Sequence, residues 1–163
     1  MAEKSLPIAQ ILTLLAEAPR RITATTSTLT EAQLHAAPSS GEWSANEVLA
    51  HLRSCADMWG NGIMTILAED RPTIRAVNPR TWIKQTDYLE LEFRSSLRAY
   101  TKQRAGLLTV LEPLSEEDWS RWATITGAGK PLQRTVQSYA QWMATHERPH
   151  IKQIERIVNT VRL

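Results

Sequence analysis

Three of the four histidines in this 163-residue sequence, His51, His146 and His150, fall on helical stripes that are otherwise apolar. His51 interrupts the line Val48, Leu52, Cys55, Trp59, Ile63, and the other two stand between Met143 and Ile154. Histidines four positions apart on a helix project from one face a turn apart. Their Cβ atoms are then roughly 5–6 Å apart, so both imidazoles can reach one cation. A third imidazole from another helix completes a three-histidine set with a coordination position left free, as in catalytic rather than structural zinc sites. The plainer alternative is a buried neutral imidazole with one hydrogen bond, since buried polar groups need partners but seldom an ion. Spacing alone leaves both open.

Other residues near this constellation have competing roles. Glu47, four residues before His51, is a candidate hydrogen-bond acceptor for an imidazole or a general base for catalysis. It also completes the S-x-x-E capping box Ser44-Ala45-Asn46-Glu47. Cys55, four residues after His51, reads as a small core residue, with a soft fourth ligand or a redox thiol as the alternatives. Glu147 follows a candidate ligand but points about 100° round the helix, which suggests solvent or an interface. His35 reads as a surface residue. Among the six tryptophans, Trp43 and Trp82 lie on connections where they could line a pocket mouth. The Gly127-x-Gly129-Lys130 loop is too short to cradle a phosphate and reads as a turn.

Four long amphipathic helices would carry these groups. The first is expected over about Ser5–Ser27, kinked or divided at Pro19. The second starts at Ser44 and is closed by Arg71-Pro72, the third runs from near Asp87 to Pro113, and the fourth runs from Thr135 to Val161. Thr30 can cap a short piece before Pro38. Residues 69–82 hold two prolines and no sustained period, and no segment shows convincing strand alternation. Helices joined by two long crossings describe an all-α four-helix bundle in one domain, 1–163.

Composition narrows the function classes. With 42% hydrophobic and 22% charged residues the chain suits one domain. At this size it can bury about 68–70% of its unfolded surface without a structural metal or disulfide. Nineteen Lys and Arg against seventeen Asp and Glu provide no basic face for nucleic acid. One cysteine and the absence of a leader pattern or an apolar run of roughly 18 residues lead to the expectation of a cytoplasmic protein with no membrane partner.

Two runs resemble a known family. Trp43-Ser44-Ala45-Asn46-Glu47-Val48-Leu49-Ala50-His51-Leu52 is similar to the W-S-x-x-E-x-L-x-H-L signature of the DinB/YfiT-like proteins, and His146 to Ile154 is similar to their closing H-x-x-x-H-x-x-Q-I. The resemblance implies a four-helix bundle with a crossed connection, often a homodimer. It implies a divalent ion, zinc or nickel, held on His51, His146 and His150. It further implies an enzyme acting on a small-molecule substrate, most plausibly a transferase for low-molecular-weight thiols such as bacillithiol or mycothiol. A metal-dependent hydrolase and a non-catalytic binding module are the alternatives. Pro149, between two implied ligands, removes one helical hydrogen bond and is expected to bend the helix there.

Overall fold

In the computed structural model, which describes residues 4–162, four helices begin where a hydroxyl side chain takes up a free backbone amide, among them a short one through Ser115. Met1–Glu3 and Leu163 lie outside the described residues. In chain order the elements are α1 (Ile8–Thr26), α2 (Glu31–His35), α3 (Ala45–Ala68), β1 (Thr73–Arg75), α4 (Pro79–Trp82), α5 (Phe93–Leu111), α6 (Glu116–Trp119), β2 (Trp122–Thr126), β3 (Leu132–Thr135) and α7 (Val136–Val161). Ser44 caps α3, Thr30 caps α2 and Thr135 caps α7, each through a reciprocal capping box. α1 runs unbroken through Pro19, and α7 through Pro149. The helix expected from Asp87 begins at Phe93, because residues 87–92 form a turn tied to α3 by the Tyr88 hydroxyl, which donates to Asp57 Oδ2 at 2.5 Å.

The long helices form the expected bundle, with a small sheet that the sequence did not suggest. β1 pairs with β2 in parallel, placing Ile74 opposite Ile125, and β2 pairs with β3 antiparallel across a turn in which Gly127 and Gly129 both have φ 85°. Only glycine takes that backbone conformation without steric cost. Strand β2 buries Ala123 and Ile125 against the core, and its partner β1 lies about fifty residues away in sequence. Runs of three to five residues are too short to show a two-residue period, and a long-range backbone ladder has no local sequence signature.

The core is two apolar clusters separated by a polar layer. One gathers Ile11, Leu15, Trp59, Ile63, Leu111, Ile125 and Met143, and the other gathers Ile22, Leu34, Leu49, Leu52, Phe93, Tyr100, Ile151 and Ile154. On each long helix the change of cluster falls at a common level: after Leu15 on α1, between Leu52 and Cys55 on α3, between Tyr100 and Leu111 on α5, and between Ala144 and Ile151 on α7. His51, Arg104, His146, Glu147 and His150 occupy that level.

Candidate metal centre

The three histidines converge because α3 and α7 run antiparallel. Gly62 of α3 meets the ring of Tyr139 near the start of α7, and a Cβ at Gly62 would lie 2.8 Å from Tyr139 Cζ. His51 is eleven residues before Gly62 and His150 eleven after Tyr139, so equal helical rise returns the rings to one level. Ring centroids are separated by 5.2 Å for His51 and His146, 4.9 Å for His51 and His150, and 4.7 Å for His146 and His150.

The donor atoms suit a cation. His51 Nε2 and His146 Nε2 stand 3.3 Å apart, and Cys55 Sγ lies 3.6 Å from His51 Nε2. Tetrahedral zinc places two nitrogens about 3.3–3.4 Å apart and a sulfur about 3.5–3.6 Å from each nitrogen, on bonds of ~2.0–2.1 Å and ~2.3 Å. The donor atoms of His51, Cys55 and His146 all lie within 4.8 Å of one another. His146 Nδ1 is buried without a protein partner, so this ring is not satisfied by the protein alone. His150 Nδ1–H donates to Gln153 Oε1 at 2.9 Å, which leaves its Nε2 lone pair free, as a ligand requires.

Burial keeps two of the imidazoles, His51 and His146, neutral. Burial first, then the His150 and Arg80 charges, lower His51 to about 4, and burial with His150 and His51 lowers His146 to about 4. Both rings therefore offer lone pairs rather than protons at neutral pH. Burial, and after it the Glu147 carboxylate, push the Cys55 thiol up to about 12, so it remains protonated unless a cation offsets them. The residue read as core packing is indeed 2% exposed, yet it stands within the donor set.

Glu147 departs from the sequence expectation of solvent or interface. It is 2% exposed and bidentate to Arg104, with Nη1 donating to Oε1 at 2.9 Å and Nη2 to Oε2 at 2.5 Å. The Tyr100 hydroxyl adds a bond to Oε2 at 2.7 Å, and Arg104 Nη1 also donates to the Leu15 carbonyl at 2.8 Å. A position 100° round α7 from His146 meets protein because α7 packs on both α3 and α1. Burial alone would push the Arg104 guanidinium down, but Glu147 and Tyr100 beside it hold it above its ordinary value. His146-Glu147-Arg148-Pro149-His150 also has the H-E-x-x-H form in which the Glu of zinc peptidases acts as base, a signal that went unread in the sequence. Both oxygens of this Glu are taken by Arg104 and Tyr100, which suits an anchor rather than a base.

Glu47 occupies its capping position: its Oε1 accepts from Ser44 N, and Ser44 Oγ accepts from Glu47 N, each at 3.1 Å. Trp43 and Trp59 flank the histidines, 5.4 Å from His51 and 4.9 Å from His146 between ring centroids. Trp43 lines a cleft of about 520 Å³ together with Arg80, His150, Gln153 and Arg156. Trp82 instead donates to Asp57 Oδ2 at 3.2 Å, and His35 is exposed. Arg80 lies on no inner stripe and in neither motif, so no sequence signal marks it, whereas Gln153 is the Q of the closing H-x-x-x-H-x-x-Q-I run.

The chain is similar to several known proteins. The family model of the DinB superfamily matches residues 14–154. A protein of Geobacillus thermodenitrificans described as a "putative metal-dependent hydrolase" is 26% identical over 148 residues, covering 86% of this chain and 79% of its own. A protein of Halalkalibacterium halodurans with the same description is 27% identical over 139 residues, covering 83% and 78%. The solved structure of YfiT from Bacillus subtilis, described as "a probable metal-dependent hydrolase with an unusual four-helix bundle topology", superposes with a TM-score of 0.77 at 19% identity. That match covers 98% of this chain and 91% of YfiT and bears on the fold alone.

Proposed function

This chain belongs to the DinB superfamily, and from that premise we propose that it is a divalent-metal-dependent enzyme with His51, His146 and His150 as the metal ligands. The observation that carries the reading is the meeting of three imidazoles from two helices, with His51 Nε2 and His146 Nε2 3.3 Å apart. A zinc or nickel ion in that set supplies Lewis acidity, lowering the pKa of a thiol or a water so that it becomes a nucleophile near neutral pH.

The chain's own residues do the rest. Burial keeps His51 and His146 uncharged, so they leave the positive charge of a cation undiminished. Gln153 fixes the His150 tautomer and ring orientation. Trp43 and Trp59 exclude water from the flanks of the histidines and lower the local dielectric, which strengthens charge interactions there. The Glu147–Arg104 pair holds the His146 turn of α7 against α1 and α5. Cys55 is a further donor within reach, and Glu47 is the carboxylate one turn before His51 for proton transfer.

The preferred reaction is transfer of a low-molecular-weight thiol to an electrophile, because a thiolate is a soft ligand that suits zinc. Hydrolysis is the second reading, favoured by the descriptions of the two curated relatives. Metal analysis of protein purified without a histidine tag tests the first claim. Stoichiometric metal lost from His51→Ala, His146→Ala and His150→Ala is expected, and absence of metal from wild-type protein would refute it. Cys55→Ala measures the thiol's share of the affinity. Assays pairing thiols with electrophiles, run beside ester and amide hydrolysis, then choose between the nucleophiles.

A further inference from the structure

The cleft beside His150 is lined by two arginines. Arg80 approaches it from α4 and Arg156 from the last turns of α7, and Trp43 and Ile157 also line it. Among the described residues neither the Arg80 nor the Arg156 guanidinium makes a hydrogen bond or ion pair with a protein acceptor. Arg80 stacks only loosely, 5.8 Å from the Trp43 ring. The cleft also contains one carboxylate, Glu42, which leaves an excess of one positive charge among its formally charged residues.

We infer that Arg80 and Arg156 form the anion subsite of the reaction cleft, and that the substrate is a small molecule bearing a carboxylate beside a flat or apolar body. Guanidinium groups recognise carboxylates through paired N–H donors, and an aromatic floor receives a planar or apolar group. At about 520 Å³ the cleft is of small-ligand size. The two arginines lie on different elements, so an anion held between them is fixed in position, and the remainder of the molecule is directed toward His150. This assignment rests on the proposed function only in taking the His150 face as the reaction face.

The test compares benzoate with its neutral isostere benzamide by isothermal titration calorimetry, using protein as isolated and after chelator treatment. Benzoate is expected to bind at least about tenfold more tightly than benzamide in both samples. Arg80→Met and Arg156→Met should each weaken benzoate about tenfold and leave benzamide unchanged. Both positions are exposed, so the folds should survive, and an exposed control on α7, Lys152→Met, should leave both ligands unaffected. Equal binding of acid and amide to wild-type protein would overturn the inference. So would an acid preference that persists in both arginine variants, or one that disappears with the chelator and so belongs to the metal. Metal content measured on the same samples separates the two proposals, since protein lacking metal defeats the metal reading while the acid–amide comparison still decides the subsite.

Discussion

Arg104→Met should destabilise the fold more than any surface change, and the structure sets the size of the effect. Arg104 and Glu147 side chains are only 2% and 3% exposed and share two hydrogen bonds, so removing the guanidinium leaves a buried carboxylate with Tyr100 as its remaining partner. Breaking a desolvated pair from one side costs about 3–5 kcal/mol, against roughly 0–1 kcal/mol for an exposed pair. At about 2–4 °C per kcal/mol for a chain of this size, the midpoint of thermal unfolding should fall by roughly 6–20 °C. The triple variant Arg104→Met, Glu147→Leu, Tyr100→Phe removes both charges and the tyrosine hydroxyl together and leaves no buried charge. It should therefore be more stable than the Arg104→Met single variant. Urea unfolding of the wild type, the single and the triple variant provides the comparison. A single-variant cost below about 1 kcal/mol would show that the pair is not desolvated. A triple variant less stable than the single would refute the view that the unpaired charge is the source of the loss. Metal affinity measured alongside should remain reduced in the triple variant, because the apolar replacement no longer pins the His146 turn of α7.

For metal-free protein, stability should fall as pH drops from about 6.5 to about 4. Unfolded imidazoles take up protons near 6.5, whereas buried His51 and His146 refuse them until about 4. A urea midpoint that does not fall over that window relative to a His51→Gln, His146→Gln double variant would contradict the burial of these rings. Gly62→Ala should lower stability by about 1 kcal/mol, since its Cβ would meet Tyr139 at 2.8 Å and the clash outweighs the helical gain. Gly60→Ala, with nothing within 4 Å, should raise it by up to about 1 kcal/mol, and the same unfolding series reads both. Ser44→Ala should cost about 0.5–2 kcal/mol by uncapping α3. Glu47→Gln should leave metal content unchanged, and a loss of turnover in that variant without metal loss would identify proton transfer at Glu47.

Local order was legible along the chain: the four long helices from their apolar spacing, the caps at Thr30 and Ser44 from hydroxyls placed before helical stretches, and the shared face of His146 and His150 from the four-residue interval. These depend on contacts within a turn or two, which sequence distance measures directly. Long-range contacts decided the rest. Antiparallel packing of α3 on α7 brought His51 to the pair on α7, and the strands Thr73–Arg75 and Trp122–Thr126 exist only through each other. Cys55 joined a donor set and Glu147 a buried ion pair because of what faced them. A side chain's position round its helix follows from its number. Whether water, a cation or another helix waits there depends on how distant segments pack, and that is a property of the assembled bundle.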